Sequence, residues 1–371
     1  MLGVELGLIK NLFLLVYTPS AVKKNILSLD TIIAVGPDRI GNRILKECAE
    51  VLYNPLSELF NKSLNEGIYP TAWKEALVTA IFKKVDRQIK TNYRPISLLS
   101  CISKVFEKLV FDKFYDYLIR NNILTDVNSG FKKNDSAINR LLAILENIYQ
   151  SLDNHQDSIF VSLDISKAFD RVWHEGLLFK LKQLGVNGAL LKWFNSYLCN
   201  RSQRVVLGGS SSASKYLHSG VPQGSILGPL LFLIYVNDMT VGLNTIVHQF
   251  ADDTNLLCNY KNPVEAAELI NRDLITLSHW ADQWRVTFNP HKTHYMIISL
   301  KKNKHRLDPL YLNNTEILES SKIDSLGLTI TNKLSWNEHT IKLINKASKR
   351  LFVLSIYISI YYQGRLWSRY I

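Results

Sequence analysis

Hydrophobic spacing divides the chain into alternating helices and strands. Beyond a break at Gly36-Pro37-Asp38, apolar residues recur at helical intervals at Ile44, Leu45, Cys48, Val51, Leu52, Leu56, Leu59 and Phe60, with Pro55 placed to kink the helix they predict. Residues 76–82 read as a strand, and 100–120 as an amphipathic helix carrying Ile102, Phe106, Leu109, Val110, Phe114 and Leu118 on one side. A second helix is predicted over 136–152, and a strand over 159–164 that ends in an acid. Further helices are predicted over 166–184 and 189–199. Next come two strands, 203–207 and 215–219, around a Gly/Ser turn. A loop at 220–224 leads into a long apolar helix over 226–239. The stretch 246–257 then reads as two buried strands joined by a tight turn, because Ile246, Val247, Phe250, Leu256 and Leu257 flank Asp252 and Asp253. A helix over 264–283, a strand over 293–299 and a last helix from about 337 complete the pattern. Helices mixed with strands and hairpins predict an α+β fold rather than a regularly wound parallel sheet.

Composition narrows the partners. The 371 residues hold 47% hydrophobic and 20% charged side chains, enough for a sizeable core. Lys and Arg number 44 against 32 Asp and Glu, a net charge of +12 that favours a polyanionic partner such as nucleic acid. The four cysteines, Cys48, Cys101, Cys199 and Cys258, are dispersed without a Cys-x-x-Cys, which fits a reducing compartment and excludes a zinc knuckle within this chain. The apolar runs 11–17 and 351–362 are shorter than the roughly 18 to 20 residues a membrane helix needs, so no membrane span is expected. Basic clusters such as Lys301, Lys302, Lys304, His305 and Arg306 suit RNA binding and nuclear import equally, which leaves the compartment open.

The chemistry centres on three acids. Asp252 and Asp253 interrupt an apolar stretch, and two charges beside a core are costly unless a cation or solvent meets them. An Asp-rich hairpin turn would look the same in isolation. Asp164 closes another predicted strand, and acids distant in sequence can meet on neighbouring strands of one sheet. An oxygen-only cluster suits Mg²⁺, and two such ions about 3.5 to 4 Å apart can activate a 3′-hydroxyl and stabilise leaving pyrophosphate.

Four motifs then carry a resemblance. Phe250-Ala251-Asp252-Asp253 resembles the acidic box of reverse transcriptases, and residues 163–172, from Leu163-Asp164 through Ala168-Phe169-Asp170, resemble their first acidic motif. Residues 220–232, opening Gly220-Val221-Pro222-Gln223-Gly224, and residues 92–99, containing Tyr93-Arg94-Pro95, are similar to the enzymes of non-LTR retrotransposons, above all the jockey-like type. The resemblance covers about residues 36 to 350. It departs from the family pattern at Arg39, Ala80, Val85 and Asn128, none of them a catalytic acid.

That resemblance implies a right-hand polymerase. Residues 1–35 have no assigned role; fingers would span 36–155, a palm with an antiparallel sheet 156–318, and a partial thumb 319–371, with the whole catalytic domain at about 70–331. Asp164, Asp252 and Asp253 would be the catalytic acids and, with the Ile165 carbonyl, the ligands of two Mg²⁺ ions, for which Mn²⁺ can substitute. Lys83 or Lys84 and Arg94 would grip the triphosphate, the planar Arg fork suiting phosphate. Phe169 would be the wall against a 2′-hydroxyl. Gln223 and Gly224 would lie near the incoming nucleotide, and Lys292 near the pyrophosphate. Leu326 and Gly327 would form the primer grip. His248 and His174 read as ordinary polar residues, and Asp170 as an acid at a helix start or behind the site rather than a metal ligand.

The implied reaction is RNA-templated DNA synthesis from a primer 3′-hydroxyl with dNTPs, on an RNA template and a DNA primer, without a membrane and with an endonuclease supplied separately. Two other readings fit the acid layout. One is an RNA-directed RNA polymerase, against which Phe169 and the 220–224 loop speak. The other is a truncated, inactive element remnant that at most binds RNA.

Overall fold

The computed structural model describes residues 15–82, 86–89, 92–301 and 306–367, with side chains through 358. Helices and strands are interspersed and the sheets are mainly antiparallel, so the α+β expectation holds at that level. The chain divides into two compact units. One comprises residues up to Asp135, Ile165–Gly242 and Thr276–Phe288; the other comprises Ser136–Asp164, Leu243–Ile275 and Asn289 onward.

The first unit is built on an aromatic core. Phe60 of the helix Ala49–Glu66 stacks on Phe106 of the helix Cys101–Arg120 at 4.4 Å, and Tyr69 meets Tyr197 edge-on at 5.1 Å. Buried aromatic pairs in these geometries contribute about 0.5–1.5 kcal/mol each beyond the area they bury. A mixed sheet lies beside this core: Tyr93–Leu98 runs antiparallel to Glu75–Phe82, which runs parallel to Arg201–Leu207. The Gly/Ser turn closes as a two-residue hairpin at Gly208 and Gly209, both at positive φ, and Lys215–Leu217 returns along Arg201–Leu207. The helix Leu227–Val236 is apolar on every side, and all its residues but Pro229 are buried.

Three predicted helices are revised here. The helix expected over 166–184 is a 3₁₀ turn, Ala168–Arg171, followed by a separate helix, His174–Gln183. Its carbonyls explain the break: Phe169 O accepts from Val221 N and Val172 O from Gly220 N, so a distant loop takes bonds that helix continuation would need. The early helical pattern breaks at Cys48, between Asn42–Glu47 and Ala49–Glu66, while Pro55 lies within the second helix. The apolar helix ends at Val236 rather than 239, where the Asn237 side chain accepts from Thr125 N at 2.9 Å and donates to Ile123 O at 2.8 Å.

The second unit holds a five-stranded sheet in the order Leu318–Glu319, His294–Ile298, Asp157–Leu163, Asp253–Tyr260, Ile246–Phe250. It is antiparallel apart from the edge pair Leu318–Glu319 and His294–Ile298. One face packs through Phe160, Leu257, Met296 and Ile298 against Ile144, Ile148 and Leu152, spaced four apart on the helix Ala137–Asp153. Ser136 caps that helix, its hydroxyl accepting from Asn139 N at 3.2 Å. Ile323 and Ile330 of the hairpin Lys322–Ser325 and Leu328–Thr331 complete the same cluster. Lys301 of the basic stretch holds buried Asp157 at 2.9 Å; residues 302–305 lie outside the described residues. The final helix runs Asn337–Trp367, and no helix among the described residues is long and apolar enough to cross a membrane.

Candidate polymerase site

The ladder of the second unit brings the acids together. Leu163 pairs with Thr254, so one further step along both strands sets Asp164 opposite Asp253. Asp252 lies in the turn that joins Ile246–Phe250 to Asp253–Tyr260. That turn is tight because Ala251, buried, takes a left-handed φ of +57°. The main chain at Asp164 is fixed from both sides: its N–H donates to Thr293 Oγ1 at 3.3 Å, and its carbonyl accepts from Asn289 N at 2.8 Å. The same segment sets exposed Lys292 with its ammonium 3.9 Å from Asp164 Oδ2.

Electrostatics mark the acids as a group. Asp253 keeps solvent access, yet the protein crowding it pushes its carboxyl up to about 6, with Asp252 and then Asp164 adding to the shift. Burial likewise raises Asp164, and Lys292 pulls the other way. A divalent cation would relieve this repulsion, and the donors are all oxygen, as a hard cation requires. Among the described residues, no group of three or more Asp, Glu, His or Cys side chains is arranged to hold a metal ion by itself. An open carboxylate edge suits Mg²⁺, which keeps waters and substrate phosphates among its ligands.

The first unit gathers a second set of predicted residues around the 220–224 loop. Gln223 Nε2 donates to Asp170 Oδ1 at 2.9 Å, and Gln223 O accepts from Ser97 N at 2.7 Å. Gly224, at φ +121°, passes so close to Ser97 that a Cβ would stand 2.4 Å from its carbonyl oxygen, and no side chain fits there. Ser97 belongs to the strand Tyr93–Leu98, on which Arg94 is exposed and in register with Ile81. Phe169, next to Asp170, is half-buried; it stacks on Phe232 at 4.6 Å and meets Phe131 edge-on at 6.0 Å. Ile165 forms an isolated antiparallel bridge with Phe288. Lys83 and Lys84 lie outside the described residues.

Leu326 and Gly327 return to the second unit, as the two-residue turn of the hairpin ending at Ser325 and restarting at Leu328. Both have positive φ, +50° and +88°, the pattern of a type I′ turn. The structure thus groups Asp164, Asp252, Asp253, Lys292, Leu326 and Gly327 in one unit, and Ile165, Arg94, Phe169, Gln223 and Gly224 in the other.

Several supporting residues escaped sequence reading. His174 Nε2 lies 2.8 Å from Gly220 O and fixes the start of the loop. His248 is buried with Arg140 Nη1 3.5 Å from its Nδ1; burial, then that guanidinium, lower its imidazole to about 4. Asn255 is buried two residues beyond Asp253. Period-two alternation was the available signal: on one strand, Asn255 must share the face of Asp253.

Comparison with known proteins gives the family. The reverse transcriptase (RNA-dependent DNA polymerase) family matches residues 81–330, which contain all three acids and the 220–224 loop. The chain belongs to that family. It is 31% identical over 327 residues to a probable RNA-directed DNA polymerase from transposon BS of Drosophila melanogaster, covering 85% of this chain and 36% of the relative. It is 29% identical over 332 residues to the RNA-directed DNA polymerase from mobile element jockey of the same species, covering 87% of this chain and 36% of the relative. A polyprotein from the type-1 retrotransposable element R1 of Bradysia coprophila is 24% identical over 323 residues, covering 84% and 31%. The chain therefore spans about a third of the length of these relatives.

Proposed function

We propose that the chain is an RNA-directed DNA polymerase of a jockey-like non-LTR retrotransposon. It would extend a primer 3′-hydroxyl with dNTPs on an RNA template. The observation that carries this reading is the pairing register that sets Asp164 beside Asp253, with Asp252 in the adjoining turn. In a right-hand description, fingers would comprise 36–155, the palm 156–318 and a thumb segment 319–371, with the catalytic domain over about 70–331.

Each residue has a role set by its chemistry. Asp164, Asp252 and Asp253, with the Ile165 carbonyl, would hold two Mg²⁺ ions, which when bound supply Lewis-acid activation of the 3′-hydroxyl and neutralise pyrophosphate charge. Arg94, with Lys83 or Lys84, binds the triphosphate through charge-assisted hydrogen bonds. Gln223 is held by Asp170 and orients the nucleotide, while Gly224 lets backbone approach closely. Phe169, braced by Phe232, excludes a 2′-hydroxyl by volume. Lys292 stands ready to donate a proton to, or screen, the leaving pyrophosphate. Leu326 and Gly327 offer backbone to the primer end.

Primer extension on an RNA template by the purified chain tests this, with dNTPs or rNTPs in separate reactions and Asp252→Ala as control. DNA synthesis lost in the variant supports the proposal. Preference for rNTPs would indicate an RNA-directed RNA polymerase. Template binding without synthesis at any Mg²⁺ or Mn²⁺ concentration would indicate an inactive remnant.

A further inference from the structure

The acid-bearing sheet carries a polar row directly behind the carboxylates, buried at His248 and Asn255 and half-buried at Ser162 and His294. Register places His248 opposite Asn255, Asn255 opposite Ser162, and Ser162 opposite His294. Directly opposed residues share a face, and so do residues two apart on one strand. The row therefore lies on the face of Asp164 and Asp253. One step further back, that face becomes the apolar cluster of Phe160, Leu257 and Met296. His248, Asn255 and the hairpin residue Ser325 are all buried, and buried polar side chains are costly unless they bond to something.

Asn255 has a specific partner: its Nδ2 donates to Ser325 Oγ at 3.3 Å. Ser325 is the last residue before the Leu326-Gly327 turn and closes the ladder against Leu328. The hairpin is thus fixed to the sheet at two levels. Ile323 and Ile330 pack into the apolar cluster, which holds it in place but does not direct it. The Asn255–Ser325 bond is directional and lies at the turn end.

We infer that Asn255 is a positioning residue that sets the 326–327 turn relative to the carboxylates through its bond to Ser325. Asn255 stands two residues from Asp253 on the same strand, so the bond joins the carboxylate-bearing strand to the residue that precedes the turn. A displacement of the turn would misalign a primer end even with every carboxylate intact. The contact is read from geometry alone; its meaning for a primer rests on the polymerase reading.

The test uses the full chain with Asn255→Leu, Ser325→Ala and Ser325→Thr, the last keeping the hydroxyl. Hydrogen exchange is followed over 322–331 and over the strands 157–163 and 253–260. Asn255→Leu and Ser325→Ala are each expected to speed exchange at the turn about tenfold or more, with the strands unchanged and Ser325→Thr like the parent. In primer extension, both loss variants should lower kcat for the first addition about tenfold while the KM for dNTP moves less than about twofold. Unchanged turn exchange in both variants, or exchange raised equally across the sheet, overturns the inference. A parent chain that makes no DNA would sink the polymerase reading, while the exchange data would still decide the contact.

Discussion

Gln223 donates its side-chain amide to Asp170 Oδ1 across 2.9 Å, which joins the 220–224 loop to the 3₁₀ turn carrying Phe169. The bond fixes which end of the side-chain amide is spoken for and turns its oxygen, Oε1, to other donors. It lies at the surface, so its net worth is about 1 kcal/mol, or about fivefold in an affinity. Asp170→Ala is expected to raise the KM for dNTP about three- to tenfold with a smaller change in kcat. Asp170→Asn, which keeps an acceptor oxygen, should stay near the parent. Steady-state primer extension distinguishes the two, and equal behaviour of both variants would remove Asp170 from any part in orienting Gln223.

The carboxylate edge predicts an unusual stability response. Asp253 is raised from 3.8 to about 6 by crowding, then by Asp252 and Asp164. An acid raised on folding contributes stability that is fully present below its unfolded value and is lost as pH rises through about 6. Asp253→Asn should therefore raise the Tm of the metal-free chain at pH 8, with the gain shrinking towards pH 4. Added Mg²⁺ should raise the Tm of the parent more than that of the variant, because the cation relieves a repulsion the variant lacks. Thermal unfolding with and without Mg²⁺ at both pH values reads this directly. A Tm gain that does not vary with pH would contradict the assignment of repulsion.

Phe169 should govern sugar choice. Its ring stacks on Phe232 at 4.6 Å and meets Phe131 edge-on at 6.0 Å, contacts that resist its swinging aside to admit a larger group. Phe169→Val opens that space. The variant is expected to raise kcat/KM for rNTPs relative to dNTPs by about 10- to 100-fold, within what a steric wall supplies. Single-nucleotide addition with matched dNTP and rNTP measures the ratio, and an unchanged ratio would reduce Phe169 to a core aromatic.

The acids were legible because each ends or interrupts an apolar run. That pattern places Asp164 at a strand end and Asp252 in a turn, although it does not give the register that sets Asp164 beside Asp253. The helix Cys101–Arg120 was legible from its apolar spacing, although its cap, Ser100, was read as part of it. The 3₁₀ break at Ala168–Arg171 was not, because its cause is the loop at Gly220 and Val221, some fifty residues away. Asn255 was hidden differently. Within a predicted buried strand one Asn does not announce its partner, and the Ser325 hydroxyl it meets stands seventy residues on. Glu107 shows the same blindness on a helix. In the pattern it falls among apolar neighbours as one more charge on a basic amphipathic surface, yet it is fully enclosed.

Glu107 is where burial and charge conflict most sharply. Its Oε2 accepts from Ile226 N at 2.8 Å, Leu227 N at 3.2 Å and Tyr197 Oη at 3.3 Å. It thereby satisfies orphan amides at the start of the buried helix Leu227–Val236 from another helix. Glu107→Ala leaves those amides unsatisfied in the core and should cost about 2–4 kcal/mol. Glu107→Gln keeps an acceptor and removes the charge. Burial raises the Glu107 carboxyl, while Arg201 and the two amides pull it down. With the folded value raised, its contribution to stability is fully present below the unfolded 4.5 and falls as pH rises through the folded value. The stability of Glu107→Gln relative to the parent should therefore climb between acid and neutral pH. Urea unfolding at several pH values from 4 upward reads that difference. A constant difference across the range would mean that Glu107 binds its proton no more tightly when folded, and that the helix amides and Arg201 fully offset its burial.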